Sequence, residues 1–180
     1  MRVFKKSSKI KGRASPKDPL ARALLGLSIK LVTILIVVTA VFTFVFGLAR
    51  IKDMGMVPNL APGDLVIYYR LEKKYLVGDT LVYSYKGQKR SARVVALPGD
   101  KVDLDDSGLK VNGYNQNEPK VYKSTRAFRG GIKYPIRLRE DEYFIMGDNR
   151  DAAGDSRLFG PMDKKDILGK IFALVRGRGI

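Results

Sequence analysis

The sequence predicts a mainly β domain that follows a single apolar helix near the N-terminus, and two observations carry this prediction. Short segments rich in Val, Ile, Leu and Tyr recur between residues 64 and 147, separated by glycines at intervals that suit successive strands and turns. Residues 31–48 are 18 consecutive positions without a charged side chain, which is long enough to cross a membrane as a helix. A chain of 180 residues has room for one such domain and one anchor.

Residues 1–30 are predicted to be a basic cytoplasmic tail. They carry nine Lys and Arg residues and one Asp, and few apolar side chains precede Pro19, so residues 1–19 are expected to be disordered. The positive-inside rule then places the N-terminus in the cytoplasm and residues 50–180 outside the cell membrane. The formal charge of +16 raises the alternative of nucleic-acid binding. Half of the excess precedes the apolar run, however, so membrane lipid is the expected partner and nucleic acid is not.

The apolar segment is predicted to be a transmembrane helix over residues 31–49. The small-x-small triplet at residues 47–49 leaves a cleaved signal peptide as an alternative. The anchor is favoured because the apolar run is longer than a signal-peptide core and because Arg50 and Lys52 follow it directly.

Residues 50–180 are predicted to form a β-rich extracytoplasmic domain. Residues 163–176 suit an amphipathic helix by pattern, but Gly169 and the branched and aromatic residues make a final strand at least as good an interpretation. Residues 114–134 are predicted to be a long excursion from the core. The predicted strands are 64–71, 79–85, 91–97, 101–104, 109–113, 136–140 and 142–147.

The chain contains no cysteine and no histidine. This inventory excludes a disulfide framework, a metal site built on Cys or His, a Ser-His-Asp triad and a Cys-His pair. Hydrolytic chemistry would therefore have to use Ser with Lys, or carboxylates. We expect neither a cofactor nor a metal.

Residues 147–162, GDNRDAAGDSRLFGPM, are predicted to be a loop held by internal ion pairs, because Gly, Asp and Asn favour turns and carboxylates alternate with arginines. The run resembles the signature of the type I signal peptidase family, G-D-N-R-D-N-S-x-D-S-R. It departs from that signature at Ala152 and Ala153, and Ala153 stands where the family has a serine that supports the catalytic lysine. The residues expected to keep a structural role in this loop are Asp148, Arg150, Asp155 and Arg157.

Two further segments extend the resemblance, which covers residues 31–176 and implies a signal-peptidase-like fold. Residues 55–64, GMVPNLAPGD, match S-M-x-P-T-L-x-x-G-D, except that Gly55 occupies the position of the nucleophilic serine. Residues 92–100, ARVVALPGD, match K-R-V-V-G-L-P-G-D, except that Ala92 occupies the position of the lysine.

These departures remove the groups that the family's reaction needs. A serine hydroxyl becomes a good nucleophile only when a base accepts its proton, and without histidine that base is a neutral lysine. Gly55 has no hydroxyl and Ala92 has no amine. Asp53 lies where the family often supplies an oxyanion donor, and a carboxylate there would repel a developing oxyanion.

The resemblance therefore predicts a non-catalytic protein, closest to the signal-peptidase-like proteins of Gram-positive pilus clusters, which assist assembly of surface protein with a pilin or sortase as partner. The alternative is an active signal peptidase that cleaves exported preproteins through another hydroxyl, such as Ser84 or Ser91. The family's peptide groove would be lined here by residues that are equally well explained as core. They are Asp53, Met56, Val57, Pro58, Leu60, Val94 and Leu97.

Overall fold

The computed structural model describes residues 19–117, 121 and 125–176, so most of the predicted tail lies outside the described residues. The chain divides between Thr39 and Ala40 into two compact units. Helix α1 spans Pro19–Ala40 and is followed by a short π-helical segment, Val41–Val45. These 27 residues would extend about 40 Å as a regular helix, and their exposed apolar side chains fit a single-pass membrane anchor.

The helix bounds differ from those predicted at both ends. Residues 19–30 belong to the helix rather than to the tail, because Pro19 is tolerated in a first helical turn and the Leu and Ala residues that follow favour helix. Residues 46–49, predicted to complete the membrane helix, belong instead to the first strand. The described sheet therefore begins four residues before residue 50.

The predicted mainly β fold is confirmed, and each of the seven predicted segments contains a strand. The described strands are β1 Phe46–Arg50, β2 Leu65–Tyr69, β3 Thr80–Tyr85, β4 Gln88–Ala96, β5 Lys101–Asp105, β6 Gly108–Val111, β7 Tyr114–Asn115, β8 Ile136–Arg137, β9 Glu142–Met146, β10 Met162–Asp163 and β11 Ile167–Val175. The loop prediction for residues 147–162 fails at its end, where a one-turn helix, α2 (Ser156–Phe159), precedes β10.

The larger sheet has seven strands in the order β1-β2-β11-β3-β4-β9-β10, and neighbouring strands are antiparallel. The C-terminal segment is thus a strand that pairs on both sides, with β2 and β3. The close pairing with β2 requires glycine at position 169, because a Cβ there would overlap the backbone carbonyl of Tyr69.

The smaller sheet has the order β7-β6-β5-β8. The predicted excursion over residues 114–134 begins with β7, and residues 118–120 and 122–124 of it lie outside the described residues.

Buried apolar side chains pack on both faces of β3, which positions the segment that follows β1. Leu81 and Tyr83 belong to a cluster that also contains Ala92, Val94 and Ile145. Val82 points to the opposite face, since side chains alternate along a strand. There it packs in a second cluster with Ala49, Ile51, Met56, Leu60, Val66 and Tyr68. The backbone on either side of Gly55 is therefore anchored by Ile51 and Met56.

Candidate active site

The loop over residues 147–157, called here the ion-pair loop, is organised by one buried pair, Asp155 and Arg157. The Arg157 Nε donates to Asp155 Oδ1 at 2.9 Å and its Nη2 donates to Asp155 Oδ2 at 2.9 Å. The two side chains are 3% and 1% exposed. Asp155 also accepts from the Gly147 N–H at 3.0 Å, and Arg157 donates to the Arg150 carbonyl at 2.6 Å. The pair thus closes the loop on itself, and the Arg157 Nη1 also ties it to the Arg126 carbonyl at 3.1 Å.

A second pair ties the loop to the strand that resembles the family's lysine strand. Arg93 of β4 donates to both carboxylate oxygens of Asp148, at 2.8 and 2.6 Å, and the Asp148 side chain is 1% exposed. Asn59 donates its amide to the same carboxylate at 2.6 Å. Asp148 therefore joins the three segments that resemble the family's motifs. Arg150 is also buried, with its Nη1 on the Thr125 hydroxyl at 2.6 Å.

The structure brings together Gly55 and Ala153, two of the three positions that the resemblance assigns to catalysis. A Cβ built on Gly55 would lie 3.4 Å from the Ala153 Cβ, which is ordinary contact distance. The Asn149 N–H donates to the Gly55 carbonyl at 3.0 Å and fixes the two segments against each other. A Cβ on Gly147 would overlap both the Gly55 carbonyl and Ala153, so Gly147 is required for this approach.

Ala92, the third of these positions, is 1% exposed and packs in the cluster around Tyr83 and Val94. It pairs with Leu81 across the ladder, and Arg90 pairs with Tyr83 two residues away, so Ala92 and Arg90 share a face of β4. We call Gly55, Ala92 and Ala153 the small-residue corner because the resemblance assigns all three to one centre, although the contact described is the one between Gly55 and Ala153. A lysine at Ala92 would be largely desolvated, which is the environment that lowers the pKa of an amine.

The Asp53 carboxylate is hydrogen-bonded to a backbone N–H of this corner. Its Oδ1 accepts a hydrogen bond from the Gly55 N–H at 2.9 Å. In serine peptidases the N–H of the nucleophile's own residue is commonly one of the oxyanion donors. At the position that the resemblance gives to the nucleophile, a carboxylate oxygen therefore fills the place that an oxyanion would need. The sequence signal for this contact was available, because Asp side chains commonly accept from the N–H two residues onward.

A cavity of about 210 Å³ lies beside the corner. Its described lining consists of Asp53, Gly55, Tyr83, Arg90, Ser91, Gly147, Ala152, Ala153, Gly154 and Asp155. Burial raises the pKa of the Tyr83 phenol, which keeps its proton and lies 3.4 Å from the Gly154 carbonyl. The Ser91 hydroxyl is buried and makes no hydrogen bond with the residues that the structure describes. No lysine belongs to this described lining, and arginine is a poor base at neutral pH.

The predicted groove residues divide between core and surface. Met56, Leu60 and Val94 are buried in the two clusters that flank β3. Val57 and Leu97 are half-buried, and Pro58 is exposed. Ser84, the other hydroxyl considered from the sequence, is not among the residues that line the cavity.

Sequence comparison supplies a family for this arrangement. The family described as "Signal peptidase, peptidase S26" matches residues 24–175. Signal peptidase I P of Bacillus subtilis subsp. natto is 32% identical over 147 residues, which cover 75% of this chain and 80% of the relative. Signal peptidase IB of Staphylococcus aureus is 28% identical over 171 residues, covering 83% and 88%. A crystal structure of a signal peptidase I from Enterococcus faecalis aligns with a TM-score of 0.46 and 24% identity, covering 55% of this chain and 97% of that one.

A mainly β fold with an apolar N-terminal helix and a signal-peptidase-like loop defines the class of protein, and the matched region spans most of the chain. The chain belongs to the signal peptidase family, peptidase S26. Its curated relatives in Bacillus and Staphylococcus are named signal peptidases.

Proposed function

We propose that this protein is a non-catalytic member of the family, which holds surface protein during its assembly instead of cleaving signal peptides. The observation that carries the proposal is the contrast at one place in the fold. The ion-pair loop keeps its buried pairs, while Gly55, Ala92 and Ala153 supply neither a nucleophile nor a base.

The joint loss of these groups has a physical reason. A buried lysine left without its serine partners would cost a few kcal/mol, because its ammonium would be desolvated and unpaired. Replacement of all three residues by glycine and alanine leaves no polar side-chain group there to satisfy. Asp53 then caps the Gly55 N–H, so the remaining donor is also satisfied.

The helix over Pro19–Val45 fits a membrane anchor. We propose that it holds the β domain on the outer face of the cell membrane, with the N-terminus in the cytoplasm, because residues 1–30 carry nine basic side chains against one acidic side chain. The proposed partner is an exported surface protein, a pilin, or the sortase that joins pilins. This partner is suggested by the resemblance to the non-catalytic signal-peptidase-like proteins of Gram-positive pilus clusters.

A second candidate function is signal-peptide cleavage, which the names of the relatives favour. It would need a hydroxyl that is activated in another way. Ser91 is the candidate, because it is the serine among the described residues that line the cavity. Cleavage through Ser91 should disappear in Ser91→Ala and persist in Ser84→Ala.

The two functions are separated by incubating the full-length protein in detergent with an exported preprotein. We expect no processing, and we expect in-cell cross-linking of the intact protein to recover pilin or sortase. Processing by the unaltered protein would overturn the proposal, and so would cross-linking that recovers neither partner. The full chain is used because β1 precedes residue 50, so a fragment that starts there lacks an edge of the sheet.

A further inference from the structure

We infer that residues 125–139, called here the basic segment, bind a linear phosphodiester polymer whose repeat carries no base. The inference goes beyond the proposed function and holds whether or not the protein cleaves preproteins. Residues 119–139 contain seven Lys and Arg residues and no Asp or Glu. Half of the chain's positive excess lies in the N-terminal tail, and most of the remainder lies here. Such a concentration of one sign of charge attracts polyanions.

The fold holds the basic segment with its cations on the outside. Burial alternates along residues 132–138, and Lys133 and Arg137 are exposed. The backbone N–H of Leu138 donates to the Asp100 carbonyl at 2.9 Å, which fixes the end of the segment. The side chains between the exposed positions pack in the cluster around Phe144, and they are Ile132, Tyr134, Ile136 and Leu138. Because the backbone is fixed in advance, little ordering is needed when a ligand binds.

One cross-strand pair places two cations directly opposite each other. Arg137 of β8 pairs with Lys101 of β5, and both side chains are exposed. Like charges at such a position destabilise a sheet. The carboxylates of β5 do not relieve the repulsion, because Asp105 is bonded to Lys110 of β6 and Asp103 lies opposite Lys110. An anion bound between Lys101 and Arg137 offsets it.

Four exposed cations of this surface form no ion pair with any carboxylate in the described parts of the chain, and they are Lys101, Arg129, Lys133 and Arg137. Two other cations are left out of the site. Arg139 is paired with Glu142 at 2.7 Å, and Arg126 lines a cavity together with Asp105 and Asp106. Guanidinium groups bind phosphate through two parallel hydrogen bonds, so the two arginines of the site favour phosphate over other anions.

The aromatic rings of the basic segment decide which phosphodiester polymer fits. Proteins that bind single-stranded nucleic acid stack its bases on aromatic side chains. Phe128 lies instead under the Arg157 guanidinium, 4.5 Å from its carbon to the ring centroid, and Tyr134 packs edge-on against Phe144. Both rings are thus used within the fold. The surface suits phosphate without bases, which favours a polymer such as a polyol phosphate over nucleic acid.

Cations on an edge strand also have a structural explanation, because they prevent edge-to-edge association. This role accounts for Arg137, since β8 is an edge strand of the small sheet. It does not account for Arg129 and Lys133, which precede that strand. The test therefore asks whether all three cations bind phosphate.

The probe is an oligomer of base-free phosphodiester units that carries a fluorescence quencher. About twelve units suffice, since they extend about 40 Å at the spacing of about 3.4 Å per phosphate, whereas the stretch from Arg129 to Arg137 spans at most about 29 Å. Its control is the uncharged methylphosphonate oligomer of the same length.

The N-terminal tail is also basic, so the readout must be local. Because the chain has no cysteine, a fluorophore on Ala127→Cys reports the basic segment and a fluorophore on Ser7→Cys reports the tail. The full-length protein in neutral detergent is used for both. We expect the charged oligomer to quench the label at residue 127, and the uncharged oligomer to leave it unchanged.

The triple variant Arg129→Gln, Lys133→Gln and Arg137→Gln should weaken binding at this label at least about tenfold. It should also reduce the slope of log affinity against log salt by about two, because each phosphate contact of a single strand contributes about 0.7. Binding at the label on residue 7 should change less than about twofold. If the triple variant fails to fold, Arg129→Gln with Lys133→Gln, outside the strands, should reduce the slope by about 1.4.

Two further variants control for charge alone. The first removes three cations at exposed positions elsewhere in the β domain and should change binding at the label on residue 127 less than about twofold; it is Lys52→Gln, Lys73→Gln and Lys74→Gln. The second, Arg129→Lys with Arg137→Lys, retains the charge and should retain the salt slope.

Equal quenching by the charged and uncharged oligomers, or equal effects of the two triple variants, would overturn the inference. An oligodeoxynucleotide that binds at least about tenfold more tightly than the base-free oligomer would assign the surface to nucleic acid and also overturn it. Phosphatidylglycerol vesicles that bind through the three cations, with no binding of the oligomer, would do the same in favour of lipid. Preprotein cleavage by the unaltered protein would instead overturn the proposed function, whatever the oligomers do.

Discussion

The ion-pair loop and the small-residue corner are in contact, yet they follow opposite rules. In the loop, Asp155 and Arg157 are buried charges whose hydrogen-bonding groups are used within the fold. In the corner, Gly55 and Ala153 meet as backbone and methyl groups. The comparison indicates that the fold is stable with a buried polar cluster whose groups are all paired, and also with small apolar residues in place of such a cluster. A partly occupied cluster carries the cost of an unpaired group.

The largest expected effect comes from making the loop incomplete. Asp155→Ala should lower the free energy of unfolding by about 3–5 kcal/mol, because the Arg157 guanidinium would remain buried without its carboxylate. The change is measured by urea unfolding of the full-length protein in detergent, followed by tyrosine fluorescence, since the chain has nine Tyr and no Trp.

Two variants control that experiment. Asp155→Asn keeps an acceptor and should cost less than Asp155→Ala. Asp141→Ala removes an exposed carboxylate and should change the stability by less than about 0.5 kcal/mol. Equal losses for Asp155→Ala and Asp141→Ala would contradict the view that the loop depends on its buried pair.

The second effect comes from completing the corner. Gly55→Ser, Ala92→Lys and Ala153→Ser together introduce the nucleophile, the base and its support at the positions that the resemblance implies. The new Ser Cβ would lie 3.0 Å from Asp53 Oδ1, so Asp53 would still hold the oxyanion position. We expect weak preprotein cleavage when Asp53→Ser is added, at a rate at least about 100-fold above that of the variant that keeps Asp53.

The measurement is the rate of preprotein processing by the two refilled variants. Equal rates would show that Asp53 does not obstruct the reaction. Absence of cleavage in both would count against a corner that retains the geometry of the family.

A smaller effect tests the cost of a partly filled corner. Ala92→Lys alone should lower the free energy of unfolding by about 2–3 kcal/mol, because it buries an ammonium within the cluster around Tyr83. Adding Ala153→Ser should recover about 1 kcal/mol if the hydroxyl reaches the amine.

A double-mutant cycle at these two positions measures the coupling, and Ala92→Met reports the cost of the added volume alone. If Ala92→Met costs as much as Ala92→Lys, the penalty arises from packing and not from charge.

The smallest effect concerns a third pair, which ties the end of β11 to the segment after Gly55. The hydrogen bonds from Arg176 and then from the Ala61 N–H lower the pKa of Asp64 below its ordinary value of 3.8. A carboxylate with a lowered folded-state pKa stabilises the protein above its unfolded-state pKa, and this contribution is lost as the pH falls through the folded-state pKa. The contribution should therefore be complete above about pH 5 and decline below about pH 4.

Thermal unfolding as a function of pH checks this expectation. Arg176→Gln should reduce the loss of stability on acidification relative to the unaltered protein. Identical pH profiles for the two proteins would show that the pair contributes nothing measurable.

Much of the fold was predictable from the sequence because it depends on local alternation. The segments that form β2 to β6 have branched and aromatic residues between glycine turns, and this pattern predicts a strand in each of them. The ion pair within the loop was predictable for the same reason, since Asp155 and Arg157 are two residues apart. β1 was not predictable, because Phe46–Arg50 continues an apolar run and becomes a strand only by pairing with β2.

By itself, the sequence determined the mainly β class, the apolar helix and the presence of three small residues at the positions that the resemblance assigns to catalysis. Only the tertiary structure decided which distant groups meet. It placed Arg93 on Asp148 across 55 positions of the chain, Asp53 on the Gly55 N–H, and the cations of β1 beside those of β4. The physical reason is that strand patterns are set by neighbouring residues, whereas ion pairs and grooves depend on how strands far apart in sequence come together.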